Sequence, residues 1–318
     1  MGLAAPPHLA GRAETTVALI VAVASGALIA VQARINSELG SDLDQPLLAS
    51  VISNGGGLVV LVAAYLLRRR TRENLRRALG SGLPWWRFLG GAFGAVLVAG
   101  GPLLVPTLGV ALFTVGMVAG QTAGGIGVDR VGLAPGGRRP ITPVRLLGAA
   151  LAIVAVGVAE SGGSGGQLSV PLVLAAAGLG LSAAIQTAIN GSVRQAADDP
   201  VVATTINFVV GTAALLIVYG LVVAGAGPHV ARWPGDWWLY IGGLLGIGIV
   251  SAGVFAVRSL GVLRVVLSVI AGQLTAAVVL DAVVPTRGSA VDAGVVAGVV
   301  LTFIAVAVAG RAPRRLAG

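Results

Sequence analysis

The chain has 318 residues, of which 56% are apolar and only 10% charged. A soluble domain carries roughly 25% charged residues, so a water-soluble globular protein is excluded. It contains no cysteine and two histidines, His8 and His229, which excludes disulfides, thiolate metal sites and cysteine nucleophiles and leaves little for a histidine metal centre. All 21 basic residues are arginine, and the formal charge of +9 has to be explained by where they fall.

A helix crossing about 30 Å of hydrocarbon needs about 20 mostly apolar residues. Ten such stretches follow one another, at 15–37, 46–67, 86–105, 108–128, 143–159, 170–193, 200–224, 237–257, 261–284 and 289–310, separated by short polar or Gly/Pro breaks. They occupy about two thirds of the chain and leave no room for a soluble domain. The first runs into the polar stretch Gln32–Glu38 without a small-residue cleavage site, which favours a span over a cleaved signal peptide. The second is followed by Arg68–Arg72, Arg76 and Arg77, a solvated anchor within reach of anionic headgroups. Trp85 and Trp86, and later Trp237 and Trp238, read as interfacial belts. With the N-terminus inside, eighteen arginines face the cytoplasm and only Arg34, Arg232 and Arg287 fall outside. The positive-inside rule therefore explains the charge without nucleic acid, and an even number of spans places both termini in the cytoplasm.

The two halves of the sequence repeat. At an offset of 154, Gln32, Ile35, Asn36, Pro46 and Gly57 meet Gln186, Ile189, Asn190, Pro200 and Gly211. At 152, Gly90, Gly94, Gly120, Gln121 and Asp129 meet Gly242, Gly246, Gly272, Gln273 and Asp281. Five spans per repeat is odd, so the second repeat enters the membrane from the opposite side. The expected fold is thus all-α and integral to the membrane: ten transmembrane helices as two inverted five-helix repeats, 1–160 and 169–318, joined by a Gly/Ser linker at 161–168. Inverted repeats are a recurrent architecture of secondary transporters, with the site near the midplane where the halves meet.

The paired motifs Gln32-Ala-Arg-Ile-Asn36 and Gln186-Thr-Ala-Ile-Asn190, each with a proline ten residues after the asparagine, and the paired Ala-Gly-Gln ending at Gln121 and Gln273, each with an aspartate eight residues on, resemble the YdcZ-like branch of the drug/metabolite transporter superfamily. The resemblance covers nearly the whole chain. It implies a ten-helix inner-membrane carrier, described as an exporter, and names no substrate. Asn54 faces Phe208 and Ser53 faces Asn207 in the repeat, so any polar role there is not symmetric.

Polar side chains inside hydrocarbon are costly unless satisfied, which makes them functional candidates. Gln121 and Gln273 lie about twelve or thirteen residues into their spans, near the centre at about 1.5 Å per residue. Two readings stay open for them, substrate contact and an interhelical hydrogen bond. Gln32 with Asn36, and Gln186 with Asn190, share helix faces nearer the span ends, and Asn54, Asn207 and Ser53 are weaker candidates. Asp129 and Asp281 sit at helix C-termini, where a carboxylate opposes the macrodipole. Each is either a gating or coupling group or half of an ion pair that fixes a loop, with Arg130, Arg138 and Arg139 near Asp129 and Arg287 near Asp281. No carboxylate lies at the midplane, which argues against a dedicated carrier of cationic drugs.

Gly162–Gly166 matches a serine-hydrolase elbow by pattern, but the strand before it and the helix after it are missing. The glycine-rich run 124–137 lacks the strand and the closing Gly-Lys-Ser/Thr of a phosphate loop. The reading is a non-enzymatic secondary transporter without cofactor or metal. Its partners are a small polar or amphipathic molecule and the bilayer, with monomer and homodimer both open. A lipid flippase and a non-transporting scaffold are the alternatives.

Overall fold

A computed structural model describes residues 7–159, 169–227, 230–283 and 293–311. Among these there is no strand. Ten α-helices follow in order: α1 Pro7–Leu43, α2 Pro46–Leu67, α3 Arg69–Leu79, α4 Gly90–Val131, α5 Pro143–Ala159, α6 Val170–Ala197, α7 Pro200–Ala226, α8 Gly242–Leu260, α9 Val262–Val283 and α10 Ala293–Ala309. Six helical stretches among the described residues are long and apolar enough to cross a membrane alone: Ala13–Leu43, Pro46–Leu67, Val170–Ala197, Pro200–Gly225, Trp237–Leu260 and Val262–Leu280. The expected linker at 161–168, His229 and Arg287 lie outside the described residues.

Two elements depart from the sequence reading. The arginine-rich stretch after α2 is an eleven-residue helix, α3, with Thr71, Asn74 and Ala78 buried against the bundle and its arginines on the opposite side. The expected spans 86–105 and 108–128 are one hydrogen-bonded helix, α4. That helix nevertheless doubles back. Along α6, Gly94 lies against Gln186, Gly100 against Leu179, Gly116 against Ala176 and Gly124 against Ala184, so the direction of travel reverses between Gly100 and Gly116. Sixteen residues of straight helix would separate those two by about 24 Å. Pro102 and Pro106 stand in this interval, and proline lacks the amide donor that continues a straight helix.

Reciprocal contacts hold the two repeats together. A Cβ on Gly120 would land on the Ala177 carbonyl oxygen of α6, and one on its equivalent Gly272 would land on the Val23 carbonyl oxygen of α1. Gly180 against Met117 and Gly26 against Val269 repeat the relation from the other side, and Gly91 against Asn207 is matched by Gly243 against Ser53. Only glycine allows backbones this close, which in lipid replaces the hydrophobic drive with van der Waals packing. The repeats run in opposite senses. The last turns of α4 reach the point where α9, the helix equivalent to its second half, begins, since Asp129 meets Val262. Large apolar side chains such as Val59, Ile217 and Leu221 are left on the outside of the bundle, as a lipid-facing surface requires.

Candidate functional site

Where the repeats meet there is a cavity of about 390 Å³, lined by residues of α1, α2, α4, α6, α7, α8 and α9. Seven of the eight amides singled out in the sequence border it: Gln32, Asn36, Asn54, Gln121, Gln186, Asn190 and Asn207. Aliphatic residues from α8 and α9, among them Ile249, Val250, Val265 and Val269, form much of the remaining wall. None of the described lining residues carries a charge.

Helical spacing explains the convergence. Gln32 and Asn36 are one turn apart on α1, Gln186 and Asn190 one turn apart on α6, so each pair projects from a single face. At one end of the cavity the amides satisfy one another: Asn207 Oδ1 accepts from Gln186 Nε2 at 3.0 Å and from Asn190 Nδ2 at 2.8 Å. At the other end Gln32 Nε2 donates to the Gly242 carbonyl at 2.7 Å. Asn54 Nδ2 crosses to α7, donating to Thr212 Oγ1 at 2.9 Å. The Asn36 Oδ1 is buried without a partner among the described residues.

The two central glutamines separate. Gln121 borders the cavity and has no hydrogen-bond partner among the described residues. Gln273 is not among the lining residues; its backbone nitrogen sits 2.7 Å from where a Cβ on Gly26 would be, in the tight α1–α9 contact. Of the two equivalent glutamines only Gln121 therefore lines the cavity, since α1 packs against the α9 backbone beside Gln273. Ser25 and Thr187 also line the cavity. Ser25 is seven residues before Gln32 and so on its face, a signal present in the sequence.

Asp129 is fully buried. It stands at the C-terminal end of α4, but its carboxylate accepts from the first amides of α9, Val262 N at 2.8 Å and Leu263 N at 3.3 Å, and pairs with Arg145 of α5. The adverse dipole of its own helix is offset by the favourable end of another. Its partner is thus sixteen residues away, not the nearer Arg130, Arg138 or Arg139. Gly132, left-handed at φ 73°, turns the chain so that the Arg139 amide donates to the Asp129 carbonyl oxygen at 2.8 Å. The Arg139 guanidinium holds the Ser259 carbonyl at 3.1 Å, and burial pushes its pKa below the ordinary arginine value despite the nearby Asp129 carboxylate. The side chain of Asp281 lies outside the described residues. Near the same end, Asn74 Nδ2 of α3 donates to Asp199 Oδ2, whose other oxygen caps α7 by accepting from Val201 N at 2.8 Å. At the opposite end, Arg232 pairs with Asp42 at 3.2 Å.

Apolar helices in two tightly interlocked repeats around an uncharged cavity define a multi-pass membrane protein of the transporter class. The family model described as "Putative inner membrane exporter, YdcZ" matches residues 17–158 and again 171–308. The chain belongs to that family. No curated protein matches it. A solved structure described as "Crystal structure of protein" superposes with a TM-score of 0.68 at 19% identity, over 96% of this chain and 99% of that one, which shows a shared fold.

Proposed function

We propose that the protein is a secondary carrier that moves a small polar or amphipathic solute out of the cell by alternating access, with ten spans, both termini cytoplasmic and no enzymatic activity of its own. The observation that carries this reading is the cavity at the repeat interface, to which both repeats contribute matching amides, Gln32 with Asn36 and Gln186 with Asn190. Inverted repeats that differ in conformation supply two alternative states by exchanging their arrangements, with the site held between them. The outward direction follows the family's description. The orientation follows the arginines of α3 and of the loop after α4, which share one end of the bundle. Asp129, bound to α9 and Arg145, holds three helices together at that end and has no role in coupling in this reading.

Because the chain is free of cysteine, single-cysteine accessibility tests the proposal without a known substrate. In oriented membrane vesicles, Gln121→Cys is expected to react with a membrane-impermeant maleimide added from either side. Reaction from one side only, in intact and inverted vesicles alike, excludes alternating access and favours a scaffold.

A further inference from the structure

The two ends of the cavity are related by the repeat but differ in how their polar atoms are satisfied. Asn190 has Asn207 to donate to. Asn36, its equivalent, has Ser53 in the place of Asn207, and no hydrogen bond joins the two side chains. The Asn36 Oδ1 stays buried and unpartnered, and Ser53 Oγ makes no hydrogen bond with any described residue. The two oxygens lie 2.5 and 2.6 Å from the point a Cβ on Gly242 would occupy, so both pack against the backbone of the same glycine, and both residues line the cavity. A buried acceptor left unpaired is costly, and such groups in a native structure call for a ligand, water or strain to account for them.

The charge of the cavity narrows the ligand. None of its described lining residues is ionisable. An ionic solute would lose its hydration there with no counter-charge to replace it, at a cost that amide dipoles do not meet. A neutral solute with hydrogen-bond donors loses far less and regains it at Asn36 and Ser53. Gln121, whose amide is also without a described partner, offers a second polar contact, and Val265, Val266 and Val269 offer apolar wall for the carbon frame. The volume of about 390 Å³ lies toward the lower end of the range of about 300–1,000 Å³ for ligand pockets, enough for a compact molecule.

We infer that Asn36 and Ser53 form a subsite for a hydroxyl or amide N–H of an uncharged solute, and that the cavity selects such solutes over ions of the same size. The inference rests on the carrier reading.

The test uses the full chain carrying Ala33→Cys, an exposed lining position one turn from Asn36, and follows how added solutes slow its labelling by a small maleimide. The probes are four molecules of similar size: sorbitol, uncharged and rich in donors; gluconate, an anion; N-methylglucamine, a cation; and triglyme, an ether without donors. Sorbitol is expected to protect at concentrations about tenfold below the other three, the effect of about one hydrogen bond or more. Ser53→Asn, whose amide N–H can donate to the Asn36 Oδ1 and whose larger side chain occupies the subsite, is expected to abolish the preference for sorbitol and raise the melting temperature. Should that variant not fold, Asn36→Leu serves instead, losing the preference without a lower melting temperature. Protection by gluconate, N-methylglucamine or triglyme equal to that by sorbitol, no protection by sorbitol, or a preference that survives both substitutions overturns the subsite. Two-sided labelling of Gln121→Cys combined with any of these results removes the subsite and leaves the carrier standing, whereas one-sided labelling removes the carrier itself.

Discussion

Asn207 and Asn36 both line the cavity, one from each repeat, and should respond to substitution in opposite ways. Asn207→Leu strands two donors, on Gln186 and Asn190, that now share one acceptor. Each stranded group costs about 1–3 kcal/mol, so a clear fall in melting temperature is expected in detergent. Asn36→Leu removes an acceptor that has no partner and should leave the melting temperature unchanged or raised. Equal losses in the two variants would show that Asn36 is held by a bond the described contacts do not contain. Asp129→Asn deletes the charge that Arg145 and two α9 amides share, and breaking a buried pair of this kind costs about 3–5 kcal/mol. The expected signature is a steep loss of thermal stability, with the two-sided labelling of Gln121→Cys retained in whatever protein folds.

Among the helices, the tight crossings depend on particular glycines and the equivalence of the repeats makes a paired prediction. Gly120→Val and Gly272→Val each drive a branched side chain into a carbonyl of the partner helix, Ala177 in one repeat and Val23 in the other. Both should destabilise by about 1–3 kcal/mol or more, since overpacking at a backbone contact cannot be relieved by a rotamer change. Gly127→Ala and Gly178→Ala have nothing within reach and should fall within about 1 kcal/mol of the parent chain. Melting temperatures of the four variants compared side by side decide this. If Gly272→Val is tolerated while Gly120→Val is not, the α1–α9 and α4–α6 crossings are not the equivalent contacts described above.

For the whole molecule, the absence of ionisable groups among the described residues of the cavity lining has a consequence for pH. Protection by an uncharged solute is expected to stay constant between about pH 5 and 8, the range in which a histidine or a perturbed carboxylate in the site would titrate. A protection curve that follows a single titration would place an ionisable group in contact with the solute. Fusion of a periplasm-specific reporter after Arg311 should be inactive and a cytoplasmic reporter there active, as the proposed topology requires.

Much of this arrangement was legible from the chain itself. Hydrocarbon imposes a length and a composition on anything that crosses it, so the apolar stretches had to be helices, and the offsets of 154 and 152 carried the two-repeat build because equivalent contacts need equivalent residues. One-turn spacing put Gln32 with Asn36 and Gln186 with Asn190, since a helix brings such residues to one face whatever surrounds it. The partner of Asp129, the exclusion of Gln273 from the cavity and the unpaired state of Asn36 were decided only by the tertiary structure. Each depends on which helix covers a given face at a given depth, and neither periodicity nor offset encodes the relative placement of helices. Asp129 shows the reason most plainly: by sequence it opposes the dipole of α4, and only the arrival of α9 and Arg145 from elsewhere in the chain turns an unfavourable charge into the junction of three helices.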